Sequence, residues 1–220
     1  MKALVVGATG ETGRRIVRVL VSKGIPVRVL VRDLQTAQEI LPNSIEFAVG
    51  DVLDRTSIES AIADCTVLLC ATGARPSFDP TGPYKVDYEG TKNLVDVAKA
   101  QGIDHFVIVS SLCVSRFLHP LNLFWLVLWW KKQAEDYLIK SGVPYTIVRP
   151  GGLKSDDTDD RALVMAPADT LFEGNIPRLK VAETCVAALT NPEGKNKIVE
   201  IVAEENATEK PYEELFAGVA

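Results

Sequence analysis

The sequence predicts an α/β fold built on a doubly wound parallel sheet. Three observations carry that prediction. Short apolar runs alternate with amphipathic helical patterns along most of the 220 residues. Gly24, Gly102 and Gly142 each stand just past a helical pattern and just before the next apolar run, where helix C-terminal caps belong. A glycine-rich turn, GATGETG at residues 7–13, joins the first apolar run to the first helix.

Continuous apolar runs suit parallel strands covered on both faces. They place strands at residues 2–6, 27–31, 45–49, 67–71, 105–110 and 145–148, with a later strand at 197–202. Spacings of three and four place helices at 12–23, 34–41, 57–63, 84–101 and 131–141, and one at 181–189. Right-handed crossovers between such units give one open sheet. No repeat, and no linker rich in Gly, Pro or Ser, divides the chain, so residues 1–220 read as a single domain. Residues 151–180 are irregular and carry Asp156, Asp157, Asp159 and Asp160. They are expected to form a loop, lid or small C-terminal lobe over a cleft at the strand ends.

The glycine turn points to the diphosphate of a dinucleotide, the Rossmann arrangement. Gly7 allows a tight exit from the strand, Gly10 lets phosphate approach the backbone, and Gly13 lets the helix pack closely on the sheet. The helix N-terminus presents free N–H groups and the positive end of its dipole. Thr9 and Thr12 add hydroxyl donors, and Glu11 completes the predicted contact set of this turn. The spacing is GxxGxxG, so the flanking strand and helix carry the argument. The second strand ends at Arg32, whose guanidinium suits the 2′-phosphate of NADP(H). Asp33 follows and could instead serve the ribose hydroxyls of NAD. Arg14 and Arg15 open the first helix, as surface arginines or with one reaching phosphate.

Ligands of such sheets bind at the carboxyl ends of the strands. Those ends read Gly50-Asp51-Val52, Ala71-Thr72-Gly73-Ala74, Ser110-Ser111 and Arg149-Pro150-Gly151-Gly152. Asp51 and Val52 are expected beside the adenine, with Asp51 accepting from its amino group. Ala71, Thr72 and Gly73 are expected along the nicotinamide-side ribose.

Composition narrows the class further. A formal net charge of −5 and no basic tract argue against nucleic-acid binding. Cys65, Cys70, Cys113 and Cys185 form no CxxC pair and have no histidine at metal spacing. They read as reduced, buried thiols, and no metal site is expected. The chain opens in a strand, which leads to the expectation of a cytoplasmic protein without a signal peptide.

The residues now in view resemble the atypical short-chain dehydrogenase/reductases, the NAD(P)H-binding NmrA-like group. The resemblance rests on GATGETG, VLVRD at 29–33, VGDVLD at 49–54, ATGA at 71–74, YEGTKNLVDVAK at 88–99 and VIVSS at 107–111. It continues through KKQAEDYLIKSGVPYTIVRPGGL at 131–153 and VAETCVAAL at 181–189. Length and motifs look like biliverdin-IXβ/flavin reductases and the dehydrogenase-like proteins of plastids and cyanobacteria. The resemblance implies that Ser111 is the active-site serine, with Ser110 its neighbour, and that Lys131 holds the nicotinamide ribose. It places Pro150, Gly151 and Gly152 against the nicotinamide, with backbone groups available to the carboxamide. One departure stands out. The tyrosine usual four residues before the lysine is replaced by Val127.

Ketone and alcohol chemistry needs that phenol as acid or base. A planar conjugated acceptor spreads incoming charge over its own rings, so hydride transfer to a flavin, bilin or quinone-like ring makes less demand on a side chain. The reading is therefore an NADPH-dependent reductase of a small planar acceptor, acting as a monomer or small homo-oligomer. Its alternative is an NADP(H)-bound scaffold or redox sensor for assembly of a protein complex, photosynthetic by resemblance. Residues 116–130, RFLHPLNLFWLVLWW, hold Trp125, Trp129 and Trp130. They read as a core-covering helix, a lid over the acceptor, or an exposed patch (residues 117–130) for a protein partner or membrane surface. His119 and His105 read as structural.

Overall fold

From Ala3 onward the chain of the computed structural model, which describes residues 1–74 and 78–219, alternates strand and helix. The order is β1 (Ala3–Val6), α1 (Glu11–Ser22), β2 (Val27–Val31), α2 (Leu34–Ile40), β3 (Glu46–Val49), α3 (Arg55–Ile62), β4 (Val67–Cys70) and α4 (Gly90–Ala100). It continues with β5 (His105–Val109), α5 (Val127–Ser141), β6 (Tyr145–Pro150), β7 (Gly152–Lys154), β8 (Ala162–Pro167), β9 (Asn175–Pro177), α6 (Arg178–Thr190), β10 (Lys197–Glu204) and α7 (Tyr212–Ala217). Eight strands form one sheet in the order β3-β2-β1-β4-β5-β6-β10-β8. The first seven in that order run parallel, and β8 pairs antiparallel with β10.

Both faces of the sheet are covered, and the strand period of two decides which residue goes where. Ala3, Val5, Val29, Val31, Leu69 and Val107 pack with Ile16 and Leu20 of α1 and Val181 and Cys185 of α6. Leu4, Val6, Leu30, Leu68, Phe106 and Ile108 point the other way, onto Ile58 and Ile62 of α3, Leu94 of α4 and Leu138 of α5. The continuous apolar runs of β1 and β4 are thus explained, because these central strands are covered on both faces, whereas β3 at the sheet edge keeps Glu46 and Val49 exposed. His105 is buried and shares a 2.8 Å hydrogen bond with Thr146 Oγ1. Burial, and then the charge of Lys195, lower its pKa to about 4. It is a structural histidine.

The chain leaves β1 for β2 and β3 on one side, then returns to β4 on the other. The switch point lies between β1 and β4, where successive connections depart in opposite directions and open a crevice.

Two sequence expectations are corrected here. Residues 151–180 are not irregular: of the loop, lid or small lobe expected, they carry a small two-stranded sheet, β7 paired with β9, and β8, which extends the main sheet. Their acidic run docks instead on α1: Arg15 Nε donates to both carboxylate oxygens of Asp157 at 2.7 and 2.9 Å. Arg15 is buried by this contact, so it is neither a surface arginine nor a phosphate ligand. The second correction concerns residues 116–130. Only Val127 onward belongs to α5, and the core-covering helix does not extend back over 117–126. Leu118 is 93% exposed and Leu123 84%, with Phe117, Phe124, Trp125 and Trp129 also exposed. Leu126, at the start of α5, is left-handed, and buried Asn122 caps the helix in its place. Its Oδ1 accepts from the Leu128 and Trp129 amides at 3.0 and 3.1 Å. His119 accepts from the Leu121 amide through Nδ1, a local capping role.

Candidate active site

The crevice at the switch point is lined by Gly7, Thr9, Gly10, Arg32, Gly50, Asp51, Val52, Ala71, Thr72 and Gly73, with Val6, Leu30 and Val31 behind them. Four separate segments that the sequence nominated therefore meet in one cleft. Gly7 turns out of β1 at φ +81, and a Cβ there would lie 2.6 Å from the Ala71 carbonyl oxygen. A Cβ on Gly13 would lie 2.1 Å from the Gly7 carbonyl oxygen. Only glycine lets α1 start this close to the strand. Gly13→Ala is expected to destabilise the fold by about 2 kcal/mol through overpacking against backbone, read as a lowered thermal midpoint.

Gly10 is the N-cap of α1 and brings no capping side chain. The first-turn amides are left to an incoming anion, which fits a diphosphate. Glu11 and Thr12 behave differently from the expectation. Glu11 turns onto Arg15 and Arg14, at 2.9 and 2.6 Å; the hydrogen bond from Arg15, and then the two guanidinium charges, hold its carboxyl below the usual range against its partial desolvation. Thr12 is buried in the fold. Neither side chain lines the cleft.

Arg32 and Asp33 separate cleanly. Arg32 lines the cleft, is exposed, and has no ion-pair or hydrogen-bond partner among the described residues. Asp33 is the N-cap of α2, accepting from the Thr36 amide at 3.1 Å and the Thr36 hydroxyl at 2.8 Å. Its carboxylate serves the helix. Asp51 forms a local turn with the Leu53 amide at 2.9 Å and keeps its place in the cleft lining.

Past Thr72 and Gly73 the cleft continues into a small recess lined by Asp87, Thr91, Ser110 and Lys131. Lys131 Nζ donates to Asp87 Oδ1 at 2.7 Å. Burial opposes the ammonium charge, yet the charge and hydrogen bond of Asp87 raise the Lys131 pKa above its ordinary value. Asp87 was not among the residues singled out in the sequence. Its signal is present there: it falls on the buried stripe of the following helix, in step with Gly90, Thr91, Leu94 and Ala98. A carboxylate on an apolar stripe needs a partner.

Ser110 is engaged within the protein. Its hydroxyl donates to Glu135 Oε1 at 2.5 Å. Glu135 is fully buried and held side-on by Arg149, whose Nη2 and Nε donate at 2.7 and 3.1 Å. Arg149 reaches on to Glu200, also fully buried, which accepts from the amides of Asp169, Thr170 and Leu171. Burial works against the guanidinium charge, but Glu135, Asp169 and Glu200 outweigh it and push the Arg149 pKa up. Ser111 is half-buried at the same strand end, where the Ser110 and Leu112 amides donate to the Val148 and Pro150 carbonyls. Pro150, Gly151 and Gly152 do not offer free amides. The Gly151 N–H donates to Ile201 and the Gly152 N–H to Gly174, each at 2.9 Å. A Cβ on Gly151 would sit 2.7 Å from the Gly174 carbonyl oxygen, so that glycine serves a close backbone crossing.

The fold and cleft define a dinucleotide-binding protein. The chain belongs to the NAD(P)H-binding family, which it matches over residues 7–192, and NAD(P)H is its cofactor. It is similar to an uncharacterized chloroplastic protein of Arabidopsis thaliana, 46% identical over 99% of this chain and 82% of that one. It is 38% identical to the chloroplastic protein TIC 62 of Pisum sativum over 98% of this chain but only 45% of that protein. It is 32% identical to sanguinarine reductase of Eschscholzia californica over 100% of this chain and 96% of that one. Among solved structures the fold matches ChuY, an anaerobilin reductase from Escherichia coli O157:H7, with TM-score 0.77 and 20% identity, covering 94% of this chain and 100% of that one. It also matches a short-chain dehydrogenase/reductase from Veillonella parvula in complex with NADP, with TM-score 0.73 and 17% identity, over 96% of this chain and 98% of that one. The expectation of a cytoplasmic protein is overturned by these relatives, since the Arabidopsis and pea proteins are both chloroplastic.

Proposed function

We propose that this protein is an NADPH-dependent reductase of a small planar conjugated acceptor. The observation that carries the reading is the make-up of the recess beyond Thr72. It holds Lys131, Ser110 and Asp87, and Val127 stands where an acid–base phenol would be needed. When bound, NADPH supplies the hydride. The turn at Gly7 and Gly10 holds its diphosphate, Arg32 its 2′-phosphate, Asp51 and Val52 flank its adenine, and Thr72, Gly73 and Lys131 take the nicotinamide-side ribose. Ser110 turns its O–H to Glu135, leaving only lone pairs toward the recess. Ser111 is then the hydroxyl free to orient the acceptor or pass a proton from water. An acceptor that delocalises charge fits a site whose lysine is already neutralised by Asp87. Similarity to sanguinarine reductase over nearly its whole length supports reductase chemistry.

NADPH oxidation with FMN, FAD and biliverdin tests the reading directly. Turnover with one of them is expected, and Ser111→Ala is expected to lower it at least tenfold with NADPH affinity little changed. Unchanged turnover in that variant would reduce Ser111 to scaffolding.

The exposed apolar segment favours a second reading, a nucleotide-bound scaffold or sensor docking a protein partner or a membrane surface through residues 117–130. Tight NADPH binding without turnover of any acceptor would select it.

A further inference from the structure

The chain between β4 and α4 does not enter the helix in ordinary α geometry. Residues Tyr84–Glu89 form a π-helical turn that runs straight into Gly90. Such turns are rare and frequently stand at functional sites. The buried side chain of this one is Asp87, 3% exposed. One carboxylate oxygen accepts from Lys131 Nζ at 2.7 Å and the other from the Ala74 amide at 3.2 Å. Asp87 thus joins three segments: the loop after β4, the π-turn and the start of α5. The joint is packed from outside by Tyr84, Tyr88 and Trp130, whose ring centroids lie 4.9 to 6.0 Å apart. A Cβ on Gly73 would stand 3.9 Å from Asp87 Oδ1 and 4.0 Å from Lys131 Nζ, so the pair flanks the cleft itself.

We infer that Asp87 is a positioning residue for the cofactor: it holds Lys131 charged and aimed at the ribose, and ties the β4 loop to that lysine as one unit. This rests on the reading of the cleft as the cofactor site, with Lys131 at the ribose. The physical need is plain. Lys131 is surrounded by Thr72, Thr91 and Ser110, which are neutral. The charged or titratable groups facing it are Asp87 from the π-turn, Cys70 from β4 and Glu135 from its own helix. Burial pushes the Cys70 thiol up, which keeps it uncharged, and Glu135 is engaged by Arg149. Asp87 is therefore the anion available to compensate an ammonium largely withdrawn from solvent. Without it, desolvation drives the lysine toward its neutral form. The replacement of the phenol by Val127 makes this use of the lysine self-consistent, since no hydroxyl is present at that position for its charge to act on.

The test is NADPH binding by calorimetry or fluorescence between about pH 6 and pH 10, which needs no knowledge of the acceptor. Wild-type affinity is expected to stay flat until the pH nears the raised Lys131 value. Asp87→Asn is expected to bind about tenfold more weakly and to lose further affinity as pH rises, because its lysine deprotonates within this range. Asp87→Glu, which keeps the charge, is expected to retain the flat profile and covers the case of an unfolded Asn variant. Lys131→Met is expected to weaken binding without pH dependence, and adding Asp87→Asn to it should weaken binding no further. A wild-type-like profile in Asp87→Asn, a sloping profile in Asp87→Glu, or additive losses in the double variant would overturn the inference. Absence of wild-type binding would instead remove the cofactor assignment on which it rests.

Discussion

Arg32→Ala is expected to weaken NADPH binding about thirtyfold while NADH binding changes less than about twofold. The difference follows from one charge-assisted contact to a dianionic phosphate, about 2 kcal/mol at an exposed site, which converts to that ratio at 1.4 kcal/mol per decade. The structure sharpens the choice between two neighbours. Arg32 stands in the cleft without a partner among the described residues, whereas Asp33 is engaged as the α2 N-cap. A carboxylate already accepting from Thr36 is poorly placed to receive ribose hydroxyls. Dissociation constants for both nucleotides, measured at one ionic strength, decide the matter. Equal losses for NADPH and NADH would remove the case for phosphate recognition by this residue.

Arg149→Met is expected to destabilise the protein by about 3–5 kcal/mol, because it leaves two buried carboxylates without their shared cation. For a chain of this size that corresponds to a fall in Tm of roughly 10 °C or more. Glu135 and Glu200 have no solvent to turn to, and Glu200 already receives three backbone amides. The pH dependence has a definite sign. In the variant, burial raises the pKa of a carboxylate that has lost its cation. Stability is then greatest when that group is protonated and is lost as pH rises through its raised value. The gap from wild type therefore widens with increasing pH. Thermal melts across about pH 4 to pH 8 would show it. Combining Arg149→Met with Glu135→Gln and Glu200→Gln should recover much of the loss, since no uncompensated charge then remains. A pH-independent gap would mean that lost packing, rather than stranded charge, sets the penalty.

Much of the site was legible because it is local. The GATGETG turn, the arginine closing β2 and the small residues at the ends of β3 and β4 each follow from backbone needs within a few residues. The sheet order then brings them into one cleft. What misled was also local reasoning applied too far. Glu11 sits in the glycine turn, but two arginines one helical turn away engage it. Gly151 and Gly152 look like donors for a ligand, yet Ile201 and Gly174 take their amides from distant parts of the chain. The partner of Ser110 was hidden because nothing nearby in sequence announces Glu135, which arrives from α5. The tryptophan-rich stretch has a core-like composition, but Asn122 caps α5 so that the helix begins only at Val127, and the preceding residues are left outside.

By itself the sequence determined the parallel α/β plan, the dinucleotide turn and the loss of the phenol at Val127. Those depend on side-chain periodicity, on glycine's missing Cβ and on residue identity, all carried within short windows. Only the tertiary structure decided that Asp87 holds Lys131, that Arg149 unites Glu135 with Glu200, and that the acidic run after β7 anchors on Arg15. Each of these joins charges many residues apart in the chain. Burial makes such charges pair, while the three-dimensional path of the chain chooses the partner.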